Sequence, residues 1–302
     1  MSRDTLAEAR GDARGYTLVL LAAAGWSTSG LFIRLAASSG GLSAIPLAFV
    51  RDLSTFLVLL VGLALLRPRW LRVEERDLPL FVGLGAIGVG AFHILWNLTI
   101  LNLGYATATT LIYFSPSFVT LMAWLLWREP LTRAKILAVV LTLAGCVLVA
   151  GLGAIKLIDV TAGGLILGLI TAMVFGAFTL FGRPLAGRYS PWTILTYAFG
   201  IGALVQLPLQ FLAPAPAWPL PAMTWAWVAG LVLISTVGPF AAYLASLSRL
   251  PASVASILSS SEVLFGALVG TIFFEEGLRS WQILGAVLVV AGVAIIATRD
   301  GG

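Results

Sequence analysis

Residues 78–127 read LPLFVGLGAIGVGAFHILWNLTILNLGYATATTLIYFSPSFVTLMAWLLW. Fifty residues pass without an Asp, Glu, Lys or Arg, and the only pause is Asn102-Leu103-Gly104. At 1.5 Å rise per residue, a helix needs ~20 apolar residues to cross the ~30 Å hydrocarbon core of a bilayer. The stretch is therefore two membrane-spanning helices joined by a tight turn. Its first half holds the only histidine of the chain, in His93-Ile94-Leu95-Trp96-Asn97, and its second half holds Tyr113 followed by Ser115-Pro116.

The same pattern fills the chain. Its 302 residues are 60% hydrophobic and 10% charged, where soluble domains carry about 25% charged residues; mean hydropathy is +1.02. Ten apolar segments are expected, at 16–36, 45–66, 78–101, 105–127, 134–151, 162–182, 192–212, 222–246, 252–274 and 281–298, after a polar tail at 1–15. Barrel strands need only ~9–11 residues and alternate in polarity, which these runs do not. The first segment is too long for a cleaved signal sequence. An all-α integral membrane protein is the expected class.

Loop charge sets orientation. With the N-terminus inside, fourteen of the eighteen basic residues fall in inner segments, against Arg34, Lys156 and Arg279 outside; Arg51 lies within a span. That asymmetry places both termini in the cytoplasm. The net charge of +5 is spread over these short loops and points to no nucleic-acid partner. With one cysteine and one histidine, His/Cys zinc sites are excluded, and no cofactor motif is visible. Two Gly-x-x-x-Gly patterns, Gly164/Gly168 and Gly266/Gly270, permit close helix crossing within a monomer or in a weak homodimer.

An internal repeat follows from a shift of 147 residues. Phe118 then meets Phe265, Leu121 meets Leu268, Glu129 meets Glu276 and Leu131 meets Leu278; Ile136-Leu137 meets Ile283-Leu284 and Ala144-Gly145 meets Ala291-Gly292. The expected halves are 16–151 and 162–298. Five spans per half is odd, so the second half runs upside down, and in inverted repeats of this kind the site lies near the midplane between the halves.

On these features the chain resembles the drug/metabolite transporter superfamily, EamA-like family: ten helices in two halves, each ending in a Glu-x-Leu turn and an Ala-Gly-containing helix. Trp26, Pro46, Arg51 and Pro116 fit the family's first half. Glu262-Val263 departs from the proline common in helix nine, and Ser27 from a frequent glycine. Within the family the chain is most similar to bacterial aromatic amino-acid exporters of the YddG type. The resemblance implies a secondary transporter in the bacterial inner membrane, exporting small amphiphilic metabolites, aromatic or apolar amino acids foremost. A drug or other metabolite is the alternative substrate.

Polar groups at mid-depth are expensive in lipid, so they should face a cavity or a neighbouring helix. His93, Trp96 and Asn97 share one helical face and are candidate substrate ligands; bonding to a neighbouring helix is the competing role. Tyr113 on the fourth span, Tyr243 on the eighth and the deep Trp26 complete the candidate wall, with Phe175 and Phe178 able to stack an aromatic ring. Pro116 and Pro239 are candidate hinges. Glu262 lies halfway along its span and is the candidate for proton coupling, with a bond to a serine as its structural alternative. Arg51, in the outer part of the second span, is expected to pair across helices. Trp70, Trp127, Trp192, Trp218, Trp225, Trp227 and Trp281 sit near span ends, as interfacial tryptophans do.

Other functions fit less well. A Ser–His hydrolase would have to use His93, and Gly25-Trp26-Ser27 lacks the second glycine of a nucleophile elbow. No phosphate-binding loop is present. The polar rings or filters of a channel are not visible.

Overall fold

The computed structural model describes residues 3–103, 105–150, 161–214, 219–274 and 279–299. Ten helical stretches among them are long and apolar enough to cross a membrane: Ala13–Gly40, Ile45–Leu66, Glu75–Trp96, Ala108–Trp127, Arg133–Ala150, Ala162–Leu185, Pro191–Phe211, Ala222–Leu247, Ala252–Val269 and Ser280–Thr298. They are called here the first to tenth spans. Residues 215–218 of the Pro-rich loop, Lys156 and Glu276 lie outside the described residues.

Several spans that read as single helices in sequence are interrupted, each for a local reason. The fourth is built from helices Tyr105–Ile112 and Ser115–Trp127. Pro116 has no N–H to offer the carbonyl of Ile112 four residues back, and its ring crowds that carbonyl, so the first helix stops there. The ninth span is built from Ala252–Ser259 and Glu262–Phe274. All four helix bounds are the fourth span's plus 147. Two bonds of the turns match: Phe114 N–H donates to Leu111 O at 3.1 Å and Ser261 N–H to Leu258 O at 3.1 Å; Ser117 donates to Phe114 O at 3.1 Å and Leu264 to Ser261 O at 3.0 Å. No proline forces the second break. Ser259 contributes a hydroxyl that competes for backbone groups, its Oγ donating to Ser256 O at 2.7 Å.

The third and eighth spans share another irregularity. Each contains a widened π-helical segment, Leu84–Ala91 and Leu233–Val237. Such segments rotate the residues that follow relative to those that precede. His93 follows the first and Pro239 the second. The first span bends at Thr28, whose Oγ1 bonds Gly25 O and Ser235 Oγ, both at 2.7 Å. Gly25 allows the first and eighth spans to cross closely, because a Cβ there would lie 2.2 Å from Pro239 Cγ.

The fifth and tenth spans pack against each other through their glycines. A Cβ on Gly145 would lie 2.6 Å from the Gly285 carbonyl oxygen, and one on Gly292 would lie 2.7 Å from Thr142 Cγ2. Gly145 and Gly292 are again 147 apart. Since backbone cannot yield as a side chain can, Gly145→Val should destabilise the fold by about 1–3 kcal/mol. A melting curve of the purified variant checks this. By contrast, Gly164 and Gly168 meet Leu103 and Leu111 of the same chain, so that motif packs the sixth span internally.

Outward faces are apolar, as lipid contact requires. Leu65, Leu125, Val140, Ile166, Ile272 and Val287 are all more than half exposed.

Candidate substrate site

Both helix breaks look onto one small pocket at the centre of the bundle. Trp26 comes from the first span, Ser115 from the fourth, Phe175, Phe178 and Thr179 from the sixth, Phe240 and Tyr243 from the eighth, and Ser256 and Ser259 from the ninth. No charged side chain lines it among the described residues. Trp26 packs on Phe240 at 5.0 Å and on Tyr243 at 5.2 Å between ring centroids, and Phe178 on Phe240 at 5.0 Å. These are edge-on and tilted aromatic contacts of the favourable kind. Hydroxyls cross the cage: Thr179 Oγ1 and Tyr243 OH are 2.8 Å apart, and the Ser256 hydroxyl lines the same pocket. The pocket is narrow. Its volume is about 10 Å³, close to the room one water needs, so any metabolite must be admitted by movement of the walls.

The residues singled out by sequence fall into three places. Trp26 and Tyr243 line the pocket, with Phe175 and Phe178 beside them. His93 does not line it. It is buried, with Nδ1 2.8 Å from Asp52 Oδ2 in the second span, and Gln206 Nε2 of the seventh span donates to the same oxygen at 2.7 Å. Trp96 stacks on Phe92, which packs on Phe175 at 4.9 Å; it stands one ring behind the pocket. Asn97 is helical, and its side chain lies outside the described residues.

Tyr113 goes to the third place, packed against Cys146, Val149, Val263 and Val289. Glu262 is close enough to Cys146 to interact electrostatically with it, is partly buried, and has no hydrogen-bond partner among the described residues. Pro116 is buried at the second position of the helix after the fourth-span break, and Pro239 stands at the start of the helix that carries Phe240 and Tyr243. Arg51 pairs across helices, Nε donating to Thr236 Oγ1 of the eighth span at 3.0 Å.

Sequence reading missed Asp52, Gln206 and a charged clasp at one end of the pocket. The clasp is centred on Glu129. The helix of the fourth span ends at Arg128, which adopts a left-handed conformation with φ 55°. That turn delivers Glu129 to the start of the ninth span. There its carboxylate accepts from Ala252 N at 3.0 Å, Ser253 N at 3.3 Å, Ser253 Oγ and Arg183 Nη1, with Lys135 Nζ at 3.8 Å. An anion at a helix N-terminus is favoured by the unpaired N–H groups and the helix dipole. The signal was present in sequence, since Glu129 is one of the two glutamates of the repeat. For Asp52 the signal was simpler: a lone carboxylate and a lone imidazole in separate spans each need a neighbour.

The EamA-like transporter family model matches the chain twice, over residues 13–151 and 162–298. The chain belongs to the EamA-like transporter family. The two matches meet the two arrays of five spans. Among curated relatives is a probable terminal-alkyne amino-acid exporter of Streptantibioticus cattleyicolor, 28% identical over 92% of this chain and 91% of its own length. Another is the threonine/homoserine exporter RhtA of Escherichia coli, 26% identical over 86% of this chain and 88% of its own. A crystal structure superposes with a TM-score of 0.77 at 19% identity, over 96% of this chain and 98% of that one; it shows that the fold is shared. The EamA-like chain is thus a multi-pass membrane protein of a transporter family, and the small pocket is lined from both family-matched halves.

Proposed function

We propose that this protein exports neutral amino acids with apolar or aromatic side chains by alternating access around the central pocket. The observation that carries this reading is the lining itself: an aromatic cage crossed by hydroxyls, at two helix breaks, with no charged residue in the wall. Rings accept an apolar side chain. Hydroxyls and the backbone groups released at the breaks are suited to a carboxylate and an ammonium. A zwitterion carries no net charge into the pocket, whereas a cationic or anionic metabolite would meet no counter-charge there. Two relatives named as amino-acid exporters support the substrate class. Movement would rock the half at 16–151 against the inverted half at 162–298. The basic bias of the loops supports a cytoplasmic position for both termini, in the inner membrane of a bacterial cell.

Liposomes containing the purified protein, offered labelled leucine, phenylalanine, tryptophan, threonine, lysine and glutamate in turn, test this. Neutral substrates with apolar side chains should exchange fastest. Exchange confined to lysine or glutamate, or absent for all six, would sink the reading.

A further inference from the structure

Away from the pocket, one group of buried polar atoms has an arrangement that packing alone does not require. Asp52 is 0% exposed, Gln206 1% and His93 4%. Asp52 Oδ2 takes two donors, His93 Nδ1 and Gln206 Nε2. Its other oxygen, Oδ1, takes none, and neither does Gln206 Oε1. An ionised carboxylate only accepts hydrogen bonds. Buried with one oxygen orphaned, it forgoes the solvation that water would provide. A proton on Oδ1 changes both facts together. It removes the charge and turns an orphan acceptor into a donor, while the two bonds at Oδ2 remain.

We infer that the buried Asp52–His93 pair, held by Gln206, is the site where this transporter binds the proton that it exchanges for substrate. This rests on the reading of the chain as a secondary transporter. The charged and titratable groups at the pair are Asp52, His93 and Arg51, which interacts electrostatically with Asp52. The seventh span presents the uncharged Gln206 there, and Thr236 of the eighth span accepts from Arg51. With Arg51 charged, Asp52 ionised and His93 neutral, the three sum to zero; the bound proton makes them +1. Carboxylate and imidazole share a 2.8 Å hydrogen bond, so the bound proton belongs to the pair.

Two connections link the pair to the pocket. Phe92, next to His93, packs on Phe175 of the pocket wall at 4.9 Å between centroids. Arg51, next to Asp52, holds Thr236 in the π-helical segment that leads into Pro239, Phe240 and Tyr243. A proton that removes the charge at Asp52 therefore acts beside residues adjacent to both walls. Glu75 and Asp77 stand in the first turn of the third span; Glu262, deep in the ninth, is partly exposed and forms no hydrogen bond among the described residues. No cluster of three or more His, Cys, Asp or Glu side chains suited to a metal ion occurs among the described residues. A sodium site would also have to tolerate the hydrogens that His93 and Gln206 direct at Asp52.

The test has two arms. His93 is the only histidine, so ring-nitrogen NMR of the purified protein, without a histidine tag, reads the pair directly and needs no substrate. The His93 signals should respond to pH, and Asp52→Asn should shift or abolish that response. In liposomes, labelled leucine is followed in counterflow and in accumulation driven by a pH gradient. Asp52→Asn and His93→Gln should keep counterflow and lose at least tenfold in gradient-driven accumulation. Three results overturn the inference: His93 signals unchanged with pH, gradient-driven accumulation retained in Asp52→Asn, or accumulation that follows sodium and ignores protons. Coupling lost in Glu262→Gln but kept in Asp52→Asn would move the proton to Glu262. If the wild type shows no leucine counterflow, the substrate reading fails, and the NMR arm still decides the proton site.

Discussion

Replacing Glu129 with alanine should lower the stability of the protein by about 3 kcal/mol, the low end for breaking a buried ion pair. Glu129 is 8% exposed and Lys135 3%. Removing the carboxylate leaves Lys135 buried without that counter-charge and strips Arg183 of its acceptor. Arg183 has an alternative, since its guanidinium also lies over the Trp127 ring at 4.7 Å; its side chain is 27% exposed. That is why the low end is expected. The same change frees the N–H groups of Ala252 and Ser253, which open the ninth-span helix, and losing such a cap is worth about 1 kcal/mol. Glu129→Gln, which keeps one acceptor oxygen for the cap, should lose less. Unfolding of both variants in mixed detergent measures the difference. A Glu129→Ala protein as stable as the wild type would show that the clasp is ornamental. Transport bears on it as well. The clasp joins the end of the fourth span to the sixth and ninth, all three of which line the pocket, so Glu129→Ala should increase labelling of a cysteine placed at Ser256 from the side on which the clasp closes.

The ten spans and the repeat were legible because both are written in one dimension. Span length follows from bilayer thickness, and the repeat from residue identities a fixed distance apart. The break in the fourth span was half legible. Pro116 announces a weakened turn, but nothing in sequence says that the helix stops at Ile112 and restarts at Ser115. The matching break in the ninth span has no proline to announce it. It was visible only by carrying the fourth-span geometry across the repeat, which puts Ser260 and Ser261 under Tyr113 and Phe114. The π-helical segments before His93 and Pro239 left no mark in composition.

Side-chain destinations were legible only where one helix face decided them. Trp26 and Tyr243 are deep, aromatic and on spans that meet, and they share the pocket. His93 shares a face with Trp96 in a regular helix, and that reasoning put both toward substrate. The widened turn over Leu84–Ala91 precedes them, and the Asp52 carboxylate of another span takes the imidazole. Sequence holds no distance between residues 52, 93 and 206, so the cluster could be sought only by asking which buried polar groups lacked a partner. Tyr113 and Glu262 lie at equivalent breaks, yet neither appears in the pocket wall, because Ser115 and Ser259 are the groups that the two turns present there.

Trp26→Phe should raise the substrate concentration for half-maximal transport about tenfold while changing stability by less than about 1.5 kcal/mol. Trp26 Nε1 is buried and has no hydrogen-bond partner among the described residues, although the ring lines the pocket and packs on Phe240 and Tyr243. An unpaired buried donor costs about 1–3 kcal/mol in the resting protein. Phenylalanine removes that donor and so recovers some stability, but it also leaves a small void, which costs a similar amount. The two effects oppose each other, and the folded protein should hardly notice. Substrate binding has no such compensation. If the indole N–H donates to the amino-acid carboxylate, its loss removes one charge-assisted bond, worth about 1.5–3 kcal/mol, and 1.4 kcal/mol is already a factor of ten. Trp26→Ala should lose transport further and also destabilise, because the ring contacts go with it. Concentration-dependent exchange in liposomes, set beside melting curves of the same preparations, separates the cases. Unaltered half-saturation in Trp26→Phe would mean that the N–H does not meet the substrate and that the indole serves the pocket through its rings alone.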